Sequence, residues 1–105
     1  MVPGICMDLN DPSFVGHLRA SRARLFAFCT NWIEEGVEVL PYWQERVRGW
    51  SGWMVAANRW GAERGTAFCG GSAILAPSGE PLARAERSGD CVLVADVPEL
   101  ITSLG

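Results

Sequence analysis

The chain has 105 residues, of which 49% are hydrophobic and 20% are charged, and its formal net charge is −3. This length suits one domain with a modest core, and the composition excludes a disordered chain, which would combine few apolar residues with many charges. The acidic balance and the lack of a basic tract argue against a nucleic-acid partner. No apolar run approaches the roughly 18 residues of a membrane span, and no secretory signal precedes the first apolar segment, so we expect no membrane partner.

Four cysteines, at positions 6, 29, 69 and 91, are spread through the chain. None forms a Cys-x-x-Cys pair, and His17 is the only histidine, so we expect neither a metal site nor a cofactor. Because the cysteines sit in apolar runs, we predict reduced thiols of a cytoplasmic protein. Cys29, Cys69 and Cys91 are predicted to be small apolar fillers, which leaves Cys6 as the candidate for chemistry.

The first half of the chain alternates between strand and helix patterns. Asp11 and Pro12 predict a helix start, because aspartate caps a helix and proline fits its first turn. Unbroken apolar runs predict buried strands, and apolar residues at steps of three and four predict an amphipathic helix. We predict strand, helix, strand, helix and strand over about residues 2–6, 13–23, 25–29, 37–49 and 52–57.

The last third has a different pattern. Residues 58–65 are polar and contain glycine, so they predict a loop. Three short apolar runs, at 72–75, 82–86 and 91–95, are separated by turn sequences and predict a meander of strands. A short terminal helix is predicted to begin at Pro98.

This order of elements predicts a fold class. Two successive strand–helix–strand units imply parallel neighbouring strands with right-handed crossovers, whereas the meander adds antiparallel ones. The chain is therefore predicted to be α/β, with a mixed sheet and helices on one face.

Several residues follow the ends of predicted strands, where open α/β sheets bind their ligands. Cys6 stands between a strand and a helix start, where helix N–H groups favour a thiolate and stabilise an oxyanion. A buried cysteine in a strand is, however, more often a plain core residue. Asn31, Asn58 and Arg59 either position a substrate or satisfy loop backbone groups, and Trp32 is a candidate wall of a pocket.

Acidic residues cluster after the second predicted strand, at Glu34, Glu35 and Glu38. Such a cluster resembles a pair of catalytic acids. A solvated loop before a helix start also favours acids, because the helix dipole places positive charge there. We interpret the cluster as solvated.

One segment carries a recognisable pattern, Gly4-Ile5-Cys6-Met7-Asp8-Leu9 with Pro12 after it. A strand ending in glycine, a hydrophobe, cysteine, a variable residue and an acid resembles the nucleophile segment of the nitrilase superfamily of carbon–nitrogen hydrolases. Further segments resemble the family in the same order and extend over nearly all of the chain. They are residues 25–32, Tyr42-Trp43 to Arg46, Asn58-Arg59-x-Gly61, Phe68-x-Gly70-x-Ser72 and Pro77-x-Gly79.

The resemblance implies a fold and a reaction. Residues 1–105 would form the C-terminal half of a nitrilase-like α-β-β-α sandwich, a partial domain whose N-terminal half is absent. Cys6 would attack an amide, or less favourably a nitrile, and the resulting thioester would be hydrolysed by water. In the family a glutamate base and an oxyanion-stabilising lysine lie upstream of the cysteine. The chain has no lysine, so we expect it to be nearly inert alone.

The substrate is less sharply indicated. Residues 5–9, with Asn31-Trp32 and Asn58-Arg59, are also similar to the branch that deamidates protein N-terminal asparagine and glutamine. We therefore expect a small-molecule amide or a protein N-terminal amide, contacted by Met7 together with these four residues. Many family members carry arginine and glutamate where this chain has Asn10 and Ser13.

Assembly is a further expectation from the resemblance, because family members often form homo-oligomers. A different class of function is a non-catalytic interaction module of the same fold. Its apolar strands would then pair with another chain.

Overall fold

The computed structural model describes residues 1–96. Within this range a five-residue 3-10 helix, Cys6–Asn10, follows the first strand. The α-helices are α1 (Pro12–Ala20) and α2 (Leu40–Arg46). The strands are β1 (Val2–Ile5), β2 (Leu25–Thr30), β3 (Trp53–Asn58), β4 (Trp60–Glu63), β5 (Thr66–Cys69), β6 (Ala73–Leu75) and β7 (Pro81–Arg84).

Five of the strands form one sheet in the order β1-β2-β3-β6-β7. The first three are parallel, and β6 and β7 continue the sheet in antiparallel pairs. This confirms the predicted α/β class and the mixed sheet. Strands β4 and β5 form a separate antiparallel hairpin, joined to the residues after β2 by a single bridge between Ile33 and Phe68.

The core lies between one face of the sheet and the two helices. Phe26, Phe28 and Met54 point to this face, since side chains two apart in a strand share a face. They pack against Leu18 of α1 and Trp43 of α2, and all five side chains are almost fully buried. Burying each one contributes about 1.5–3 kcal/mol. Helices on one face of the sheet are thus confirmed.

Hydrogen bonds fix how the helices meet the sheet. Asp11 caps α1 by accepting a hydrogen bond from the backbone N of Ser13 at 2.9 Å. The Arg19 guanidinium donates to the backbone oxygens of Glu45 and Arg46 at 2.8 and 3.2 Å, which satisfies carbonyls at the end of α2. Helix α1 therefore holds the C-terminal end of α2.

The opposite face of the sheet is uncharged and open over parts of β1 to β3, whereas Trp53 and Ile74 on the same face are only 8% exposed. Register pairs Ile5 with Cys29, Cys29 with Ala57, and Ala27 with Val55 on this face. Ile5 is 67% exposed and Val55 is 39% exposed. Such a continuous apolar face is unusual on a protein surface and is typical of surfaces that pack against another layer.

Three predictions about the last third are wrong or fall outside the structure. The predicted loop at 58–65 contains β4 and the turn of the β4–β5 hairpin, at Arg64 and Gly65, where φ is +50° and +82°. Residues 91–95 form no strand, and Val92 is 89% exposed. The terminal helix predicted from Pro98 lies outside the described residues.

The predicted roles of the cysteines hold only in part. Cys69 is buried, as a filler should be, but Cys29 and Cys91 are exposed. Cys29 is exposed because it lies on the open face of β2, and Cys91 because its segment pairs with no strand. Neither α-helix in the described range is long and apolar enough to cross a membrane.

The buried position of Trp43 leads to the first prediction. Trp43→Ala should lower the free energy of unfolding by about 3–5 kcal/mol, because a large cavity opens between α2 and the sheet. Trp60→Ala is the matched control, since Trp60 is 41% exposed, and it should cost less than half as much. Urea unfolding followed by circular dichroism measures both, and equal losses would contradict the placement of the core.

Candidate functional site

The predicted site residues meet at one edge of the sheet. Because β1, β2 and β3 are parallel and in register, their carboxyl ends reach the same edge. Cys6 follows β1, Asn31 and Trp32 follow β2, and Asn58 and Arg59 lie at the end of β3. The sequence-predicted residues are therefore brought to one place.

Cys6 lies at a sharp turn between β1 and the 3-10 helix. It is half-buried, and its backbone φ is +39°, in the left-handed region that favours glycine. A non-glycine residue there costs about 1 kcal/mol or more. The Asp8 carboxylate accepts a hydrogen bond from the backbone N of Ile5 at 2.9 Å, which closes the turn around Cys6.

Gly4 is required by packing two residues before the cysteine. A Cβ at this position would lie 2.6 Å from the Phe26 ring and 3.0 Å from the Phe14 ring. A side chain would therefore displace β1 or the aromatic rings beneath it. The glycine lets the strand that carries Cys6 lie close to the core.

The 3-10 helix is fastened to α2 through its last residue. The Tyr42 hydroxyl donates a hydrogen bond to the Asn10 side-chain oxygen. The Asn10 amide in turn lies 3.3 Å from the Met7 sulfur. Met7 is 66% exposed beside Cys6, so it is available to a ligand.

Asn58, the last residue of β3, connects two loops at this edge. Its Oδ1 accepts a hydrogen bond from the backbone N of Trp32 at 2.8 Å. Its Nδ2 donates to the backbone oxygen of Gly70 at 2.7 Å and to the Cys69 sulfur at 3.2 Å. The Ser72 hydroxyl accepts from its backbone N at 2.8 Å. The side chain is thus engaged by loop groups, and a contact of Asn58 with substrate stays a prediction.

The other predicted site residues differ in how many contacts their side chains make with the rest of the protein. The Arg59 guanidinium forms an ion pair with Glu63 at 2.9 Å and lies 4.5 Å from the Phe68 ring centroid, so it points to the hairpin. Trp32 is half-buried against α2. Asn31 is exposed, and its side chain makes no hydrogen bond within residues 1–96. Asn31 and Trp32 therefore remain free to contact a ligand.

Cys69 is a second thiol at this edge that the sequence did not single out. It is 7% exposed, and burial is the main cause that raises the pKa of its thiol. Hydrogen bonds from Asn58 and from the backbone lower this pKa, whereas the charges of Glu35 and Glu38 raise it. Cys69 therefore stays protonated at neutral pH and is a poor nucleophile. In the described part of the chain, no group of three or more His, Cys, Asp or Glu residues is arranged to hold a metal ion.

Comparison with known families identifies the fold around this edge. The family model described as carbon-nitrogen hydrolase matches residues 2–105. The chain belongs to the carbon–nitrogen hydrolase family. This confirms the resemblance to the nitrilase superfamily on which Cys6 was selected. No curated protein matches the chain.

Solved structures of the family superpose on the chain. A mutant of the Nesterenkonia AN1 amidase from the nitrilase superfamily is 25% identical with a TM-score of 0.71, over 82% of this chain and 33% of that one. Another mutant of this amidase carries the acetamide moiety of fluoroacetamide on its active-site cysteine; it is 27% identical with a TM-score of 0.70, over 81% and 33%. A CN-hydrolase superfamily protein from Xanthomonas campestris, 20% identical, shares the fold with a TM-score of 0.76, over 96% and 41%. The chain thus spans about a third of the length of the amidase structures.

Asn58 supplies the second prediction. Asn58→Ala should lower the free energy of unfolding by about 2–3 kcal/mol, because the Trp32 N–H and the Gly70 carbonyl lose their partner. Asn31→Ala, at the exposed neighbouring asparagine, should change it by less than about 0.5 kcal/mol. Denaturant unfolding of the two variants provides the comparison. An Asn58 variant as stable as the Asn31 variant would contradict the stabilising role of the Asn58 side-chain hydrogen bonds.

Cys69 supplies a pH prediction. A thiol whose pKa is raised by folding stabilises the folded state fully below its ordinary pKa, and this contribution is lost as pH rises through the folded pKa. The unfolding free energy should therefore fall less between pH 8 and pH 10.5 in Cys69→Ala than in the parent chain. Identical pH dependence in the two proteins would contradict the role of burial.

Proposed function

We propose that this chain supplies the nucleophile of a hydrolase that cleaves the carbon–nitrogen bond of a carboxamide. The observation that carries this proposal is the position of Cys6, half-buried at the carboxyl edge of three parallel strands, inside the segment that the family model matches. The solved amidase with a covalent adduct on its active-site cysteine supports a thiol nucleophile and an amide rather than a nitrile.

The chemistry follows from the thiol. The Cys6 thiolate attacks the amide carbonyl carbon, and the oxygen takes the negative charge. The carbon–nitrogen bond then breaks, the nitrogen leaves with a proton as ammonia or an amine, and a thioester remains. Water attacks the thioester, which releases a carboxylic acid and restores the thiol. Met7, Asn31 and Trp32 are the residues we propose to contact the substrate, with Asn58 and Arg59 shaping the loops around it.

Two catalytic groups are not provided by the residues around Cys6. Asp8 is engaged by the Ile5 N–H, and the 105 residues contain no lysine. We therefore propose that a general base and an oxyanion-stabilising cation come from outside these residues. A base contributes about 10²–10⁴ in rate and an oxyanion donor about 10²–10³, so the chain alone should be slower by about four to seven orders of magnitude.

The open face of the sheet favours a second function. Ile5, Cys29 and Val55 expose uncharged surface over neighbouring strands, which suits binding of another polypeptide layer, including a second copy of this chain. Binding through this face without catalysis is the alternative function. Assembly and a cytoplasmic location are parts of the proposal that need their own tests.

The hydrolase proposal predicts site-selective labelling. Fluoroacetamide should modify Cys6 at neutral pH, with loss of fluoride, and leave Cys69 unmodified, because binding of the amide group holds the fluorine-bearing carbon next to the Cys6 thiol. Cys6→Ala should lose the adduct, and Cys29→Ala, which removes an exposed thiol outside the proposed site, should keep it. Intact-mass and peptide mass spectrometry locate the adduct.

Two outcomes would decide against this assignment. Equal labelling of Cys29 and Cys91 would indicate ordinary thiol reactivity rather than an amide site. Release of ammonia from acetamide by an assembly that supplies the base and the cation, if it persists after Cys6→Ala, would remove Cys6 as the nucleophile. The non-catalytic function would then be the better explanation, and sedimentation of the chain would test its association.

A further inference from the structure

A cavity of about 320 Å³ opens beside the edge that carries Cys6. It lies between the end of the 3-10 helix, the residues after β2 and the first turn of α2. Asn10, Trp32, Glu35, Glu38 and Tyr42 are among its lining residues. The volume is at the lower end of the range for small-molecule sites, so it suits part of a small ligand.

Two aromatic rings form a corner of this cavity. The ring centroids of Trp32 and Tyr42 are 5.5 Å apart, and the planes are inclined by 51°. The Arg46 guanidinium lies 4.8 Å from the Tyr42 centroid, so this ring already holds one cation. No arginine lies over the Trp32 ring within residues 1–96, and tryptophan is the best cation–π partner of the aromatic residues.

The charged groups on the cavity wall are both carboxylates. Glu38 has only a loose ion pair, 3.7 Å from the exposed Arg84, and Glu35 forms no ion pair in the described range. Glu34 fixes the loop beside them by accepting a hydrogen bond from the Gly36 backbone N at 2.8 Å. The cavity therefore combines a negative wall with an aromatic corner, which together favour a cationic group.

Glu35 and Glu38 are exposed to solvent and also line the cavity. Cys69 also lines it. Burial is the main cause of the raised pKa of its thiol, but Glu35 and Glu38 both raise it further. Their negative potential thus reaches the buried wall.

The distance from Cys6 fits a single substrate. Asn10 is four residues after Cys6 in the 3-10 helix, and a rise of about 2 Å per residue places the two about 8 Å apart. The Tyr42 hydroxyl holds Asn10 against the cavity. A short aliphatic chain can therefore join an amide at Cys6 to a charged group in the cavity.

We infer that this cavity binds a cationic end of the substrate, so that the preferred amides carry an ammonium or guanidinium group on a short aliphatic chain. The inference rests on the proposed function of Cys6 for the orientation of the substrate. It concerns Glu35, Glu38 and Trp32, which the motif around the nucleophile does not include.

Three amides of similar length test the charge preference. NMR titration of the 105-residue chain carrying Cys6→Ala, which prevents turnover, gives the affinity of each. 5-Aminopentanamide should bind about 5–10 times more tightly than hexanamide, which has a methyl group in place of the ammonium. Glutaramate, which ends in a carboxylate, should bind most weakly. Equal affinities, or tightest binding of glutaramate, would overturn the inference.

Charge variants assign the preference to the cavity. Glu35→Gln should reduce the preference for 5-aminopentanamide to about twofold or less, and Glu38→Gln should reduce it further in combination. Glu45→Gln changes the net charge equally, but Glu45 pairs with Arg48 on the exposed side of α2, so it should leave the preference unchanged. A preference that survives both cavity variants would locate cation binding elsewhere and overturn the inference.

Failure of the inference and failure of the proposed function can be told apart. Fluoroacetamide carries no cationic group, so its reaction with Cys6 in the parent chain does not depend on the cavity carboxylates. Labelled Cys6 without a charge preference overturns the cation site and leaves the hydrolase. A charge preference without labelling overturns both the hydrolase and the assignment of the bound cation to its substrate.

Discussion

The parallel pairing of β1, β2 and β3 determines where everything else at the site can lie. Parallel strands end at the same edge, so the residues that follow them converge without being close in sequence. Asn58 then completes the edge, since its amide connects the residues after β2 to the β5–β6 loop. Burial of the apolar helix face maintains the pairing, because Phe28 and Trp43 lose contact if the strands shift. The core therefore maintains the strand register, and the strand register determines the geometry of the site.

Local patterns in the sequence predict this sheet well. The apolar run of β2 and the cap at Asp11 determine their elements through interactions between near neighbours. The hairpin of β4 and β5 was missed because its turn, Arg64-Gly65, is not a common hairpin signal and Cys69 is the one buried residue in its two strands. The prediction for residues 91–95 was wrong in the opposite direction, because a strand was predicted where none forms. Their apolar run suits a strand, but pairing is a tertiary property that composition does not contain.

The candidate site was predicted unevenly for a similar reason. Cys6 was selected because a family motif surrounds it, and the carboxyl edge follows from the order of elements. The hydrogen bonds by which Asn58 connects two loops could not be predicted from the sequence, because its partners Trp32 and Gly70 lie in other parts of the chain. Glu35 and Glu38 were interpreted as solvated, and both are exposed in the structure. Their position at the mouth of a cavity with Trp32 follows only from the fold.

The backbone at residue 6 suits glycine better than cysteine, since its φ is +39°. Replacing the cysteine by glycine would relieve about 1 kcal/mol of strain and at the same time remove the thiol. In a lineage that does not use the thiol, substitution of this cysteine by glycine would therefore be favoured. A cysteine at this position therefore carries a stability cost, which selection for a reactive thiol would offset if Cys6 has the proposed role.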